Sequence, residues 1–246
     1  MSLNPNYYIM MKKVLVFICI LSLSACAELQ TIADNLPQEG YGLSNQDIAN
    51  GLKQALDKGI DTQVQKLTQE NGFYGNSAVK ILLPEELRKV EQGLRDIGLN
   101  SLADEGIKAL NRAAEDAVKE ATPIFVSAVR EMTFTDAKNI LMGDNRAATG
   151  YLESKTTHTL YQKFNPVIKN SFAKVGADQI WSNLIQKYNS IPLTQNVNPD
   201  LTDYVTTKAL EGVFTMIAKE EVEIRNNYSS RTTDLLRKVF ALQDRK

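Results

Sequence analysis

The residues of this chain that could do acid–base or electrostatic chemistry sit in a few short strings. Glu220 and Glu221 precede Arg225, so one helix face would carry a carboxylate and a guanidinium four positions apart. Such a carboxylate could serve general acid–base work, and the same spacing also suits an ordinary ion pair on a solvated face. Asn111-Arg112-Ala113-Ala114-Glu115 sets an arginine and a glutamate three apart among small residues. Small neighbours let another helix approach and partly bury the pair, which then fixes geometry rather than adding stability; ligand binding is the other use. Arg146, Tyr151 with Lys155, and Arg231 complete the set of candidate binding or buried polar residues. The cations among them could take an anionic headgroup at a helix start. For Arg231-Thr232-Thr233, capping of a helix by either threonine is the simpler account.

His158 is the only histidine. Zinc catalysis usually draws on two or three, and a nucleophile triad needs one held by a carboxylate. His158 lies instead among Thr156, Thr157 and Thr159, a polar face. The chain contains no Gly-x-Ser-x-Gly, no His-Glu-x-x-His, no Glu-x-x-His pair and no phosphate-cradling glycine loop. No catalytic residue, metal or cofactor is assigned on these grounds.

One string carries a different chemistry. Lys12 and Lys13 precede an apolar run from Val14 to Leu23, followed by Ser24, Ala25 and Cys26. Order, length and flanks match a secretory signal, and Leu23-Ser24-Ala25-Cys26 reads as a lipobox, with Cys26 the residue that receives lipid. The run spans only about 15 Å as a helix, half of a bilayer core of roughly 30 Å. Anchoring would come from acyl chains, which hold stably when two or more are attached. Bacterial lipoproteins resemble one another in this arrangement, and Ala27 after the cysteine, where an aspartate would favour inner-membrane retention, implies the periplasmic face of the outer membrane.

Removing residues 1–25 leaves 26 basic against 29 acidic residues. That balance provides no concentrated basic field for nucleic acid and no polybasic patch for anionic lipid. Cys19 leaves with the signal and Cys26 is lipidated, so the mature chain has neither free thiol nor disulfide. Its stability must come from packing.

The elements that position the candidate residues read as helices. Residues 26–43, with Leu36-Pro37 and Gly40-Tyr41-Gly42, form a tether. Ser44 with Asp47 resembles a capping box and opens a helix of Ile48, Leu52, Leu56, Ile60, Val64 and Leu67. Gly51 and Gly59 inside it imply close helix contacts. Asn71-Gly72 ends it, and residues 73–83 form a loop with a short extended piece at 80–83. Pro84 starts another helix that Gly98 stops. Ser101 starts the next, which Pro123 kinks or splits. Thr133 with Asp136 is a second capping box, for a short helix ending at Gly143. Asp144 caps a long segment through Phe164, with Pro166 inside or just after it. Helices follow from Asp178 to Tyr188, from Pro199 to Asn226 and from Leu235 to Leu242. The expectation is an all-α single domain over 44–246, about eight to ten packed amphipathic helices in hairpins, with no β-hairpin signal.

Several of these strings together resemble the bacterial family catalogued as domain of unknown function 4197. They are Gly51-Leu52-Lys53, Asn71-Gly72-Phe73, Leu83-Pro84, Asn111-Arg112-Ala113-Ala114-Glu115, Ala147-Ala148-Thr149 with Tyr151, Tyr204-Val205-Thr206, Glu220-Glu221 with Arg225, and Arg231-Thr232-Thr233. The resemblance spans about Ser44 to Phe240. It implies a periplasmic or lipoprotein setting and one domain, and it supplies no activity, substrate or catalytic residue.

The sequence therefore leads to a membrane-anchored lipoprotein whose domain binds an envelope partner or an apolar ligand. The rival reading is an envelope enzyme using Arg112, Glu115, Glu220, Glu221 and Arg225. Convergence of those side chains on one concave pocket would favour the enzyme; dispersal would count against it.

Overall fold

A computed structural model describes residues 43–96, 98, 100–175 and 200–244. Cys26, the signal and tether, and the helix expected from Asp178 to Tyr188 lie outside these residues. Eight α-helices occur among the described residues: α1 (Asn45–Thr68), α2 (Arg88–Asp96), α3 (Asn100–Val118), α4 (Ala121–Glu131), α5 (Phe134–Leu141), α6 (Ala147–Val175), α7 (Leu201–Asn226) and α8 (Asp234–Phe240). Short 3-10 turns at Glu85–Leu87 and Tyr228–Ser230 lead into α2 and out of α7. No strand occurs among the described residues, and the domain is all-α. None of these helices is long and apolar enough to cross a membrane.

Helix starts follow local chemistry. Ser44 and Asp47 exchange hydrogen bonds in a full capping box at α1, and Thr133 and Asp136 do the same at α5. Asp200 accepts from the amides of Thr202 and Asp203 to start α7. Asp47 and Asp136 are each held below the usual carboxylate range, chiefly by the hydrogen bonds of their capping partners. Pro123 does not kink one helix. The chain breaks between Val118 and Ala121, and the proline falls in the first turn of α4, where no intrahelical donor is lost. Pro166, by contrast, is absorbed within α6.

The long helices α6 and α7 run antiparallel. Thr149 meets Glu221 at one end, and Tyr161 donates to Asp203 at the other at 2.5 Å. That bond pushes the Tyr161 phenol up to about 12. Leu152, Leu160, Phe164 and Ile168 from α6 interlock with Val205, Ala209 and Val213 from α7, all fully buried. α3 covers α6 from one side, while α1 packs on α4, α5, α7 and α8. Two glycines permit close approach. A Cβ at Gly51 would stand 2.7 Å from Cγ2 of Val239, so α8 lies directly on α1. A Cβ at Gly212 would stand 2.6 Å from the ring of Phe73, which the loop after α1 inserts against α7.

Candidate functional site

Glu221 and Arg225 occupy successive turns of α7 on the face that buries Ile217 and Ile224. Their pairing matches the four-residue spacing, but the face is not solvated: the Arg225 side chain is 1% exposed and that of Glu221 6%. Burial follows from what they meet. Oε1 of Glu221 accepts from the amide of Ala148 at 2.9 Å, and Oε2 accepts from the amide and the hydroxyl of Thr149, each at 2.8 Å. These are first-turn amides of α6. Arg225 donates to the carbonyls of Ile140 at 2.7 Å and Leu141 at 3.2 Å, in the last turn of α5. It also donates twice to Glu221 and once to the side chain of Gln243.

The pair thus places a negative charge on the positive end of one helix and a positive charge on the negative end of another. It clamps the turn between α5 and α6 from across the core. All five N–H donors of Arg225 are engaged, and Glu221 accepts five hydrogen bonds. Neither group retains a free position for a substrate.

Arg231 extends the arrangement. It lies between the C-terminal end of α7 and the start of α8, two residues before the N-cap Thr233, and it is 2% exposed. Its guanidinium donates to the carbonyls of Ile224 and Arg225 at 3.0 and 2.7 Å and pairs with the carboxylate of Asp244. It caps α7 and ties the residues after α8 to it. The Asp244 carboxyl is held below its ordinary value by hydrogen bonding to Arg231. Thr233, not Thr232, caps α8, by accepting from the amide of Leu236. An anionic headgroup has no access to Arg231, because its charge is already spent on carbonyls and on Asp244.

Glu220 points elsewhere. It accepts from Nε2 of Gln63 on α1 at 2.5 Å. Oε1 of Gln63 is buried and has no hydrogen-bond partner. Glu220, Glu221 and Arg225 border a small cleft of about 30 Å³ with an otherwise apolar lining that includes Leu56, Ile60 and Phe240.

Arg112 and Glu115 belong to a separate part of α3. Glu115 is buried and accepts from the amide of Phe73 at 3.1 Å, while Arg112 is half exposed and touches Glu115 at 3.3 Å. One turn earlier, Asn111 accepts from the amide of Ile81 and donates to its carbonyl, each at 2.8 Å, as a neighbouring strand would. Asn111 also donates to the carbonyl of Ile107. Together Asn111 and Glu115 hold the 71–83 loop onto α3. The five residues of the enzyme reading therefore disperse: three border the cleft at α7, and Arg112 and Glu115 border a different hollow beside Glu70, Tyr74 and Lys108.

The other candidates are on α6 or just before it. Arg146 pairs with Glu153 on an exposed face. The Tyr151 hydroxyl donates to the carbonyl of Ala128 at 3.3 Å, and Lys155 stands 5.8 Å from the Tyr151 ring. His158 is exposed beside Gln162. Lys155 borders an open trough of about 480 Å³ between α4 and α6. Lys163, Glu120 and Glu131 also border it, and none of them was singled out from sequence. Among the described residues no cluster of three His, Cys, Asp or Glu could hold a metal ion.

The family model for proteins of unknown function DUF4197 matches residues 42–241. The chain belongs to that family. No curated protein and no solved structure matches it. The strings by which the sequence resembles DUF4197 are here the parts of the clamps: Asn111 and Glu115, Ala148 and Thr149, Glu221 and Arg225, Arg231 and Thr233.

Proposed function

We propose that this chain is a lipoprotein anchored through Cys26 to the periplasmic face of the outer membrane, and that its helical domain is a non-enzymatic binding or scaffold domain for an envelope partner. The lipobox supports the anchor. The observation that carries the binding reading is the saturation of Arg225 and Glu221, the interior charges most suited to an envelope hydrolase. Their hydrogen-bonding capacity goes into two helix ends, the side chain of Gln243 and each other. Acid–base catalysis needs a group with a free position within hydrogen-bond reach of the substrate, and neither group offers one.

Of the two binding versions, the apolar-ligand carrier finds no acyl-sized space in the cleft beside Arg225. The cleft of about 30 Å³ holds one or two waters, not an acyl chain. A partner bound on an outer surface fits the described residues better. The anchor is tested by Cys26→Ser: the variant is expected in the soluble periplasmic fraction, and unchanged membrane partition would sink the lipoprotein reading.

A further inference from the structure

We draw no further inference here: the strongest candidate, the open trough between α4 and α6 bordered by Lys155, Lys163, Glu120 and Glu131, is an exposed surface of mixed charge, and nothing in the structure shows what covers it.

Discussion

The helix α6 meets charge in two opposite ways. At its first turn, Glu221 docks on the free amides of Ala148 and Thr149 and is itself held by Arg225, all out of water. Two turns on, Lys155 and then Lys163 face an open trough and make no ion pair within 4 Å among the described residues. The first region consumes its charges to fix where helices begin and end. The second leaves its charges available. The buried charges, which look most like chemistry in the sequence, are structural, and the solvated ones are the better candidates for recognition.

The sharpest way to break this contrast is Arg225→Met. Methionine fills similar space but removes the donors to Ile140, Leu141 and Glu221. It leaves two carbonyls and a buried carboxylate short of partners. Removing one member of a buried ion pair costs about 3–5 kcal/mol, to be read as a lower urea midpoint at unchanged slope. A cost under about 1 kcal/mol would mean that the clamp does not hold the α5–α6 turn.

The second brace should be weaker because its residue is neutral. Asn111→Leu deletes the bonds to the amide and carbonyl of Ile81 and to the carbonyl of Ile107. Each buried group left unpaired costs about 1–3 kcal/mol, less where the loop can open to water. A loss of about 2–4 kcal/mol is expected, with faster amide exchange confined first to the loop around Ile81. Uniform exchange through α3 and α7 instead would show that the loop is not a separate unit.

Much of this was readable from local spacing, and the remainder depends on distant partners. Ser44 with Asp47 and Thr133 with Asp136 are self-contained over four residues, so both capping boxes were legible. The pairing of Glu221 with Arg225 was legible for the same reason. Its burial was not, because that depends on the ends of α5 and α6 arriving from elsewhere in the chain. Gly51 announced a close contact without naming Val239. Asn111 was visible only as part of a string, since nothing local indicates that a side chain will substitute for a strand. The trough was hidden most fully: Glu120, Glu131 and Lys163 read as ordinary surface charge until α4 and α6 lie side by side.

A smaller effect tests the edge of the buried cluster. Asp244 is partly exposed, and hydrogen bonding to the Arg231 guanidinium holds its carboxyl below 3.8 in the folded chain. A depressed carboxyl stabilises the fold above the unfolded value and loses that contribution as pH falls through the folded one. Stability should therefore drop below about pH 4, and Asp244→Asn should flatten that acid limb while lowering stability at neutral pH. An unaltered limb would show that Asp244 is not coupled to the fold.

The smallest effect belongs to the trough. Lys155, Lys163, Glu120 and Glu131 make no ion pair among the described residues, so little folded-state interaction is lost when they are changed. Surface substitutions of this kind usually fall within about 0.5 kcal/mol. Lys155→Ala/Lys163→Ala should therefore leave the urea midpoint nearly where it was. A slight loss is expected at low salt, because Lys155 is attracted to the Asp136 carboxylate and both lysines share the trough with glutamates, and salt should erase it. A loss of 2 kcal/mol or more would place the trough charges in the same class as Glu221 and Arg225, as supports of the fold, and the contrast along α6 would collapse.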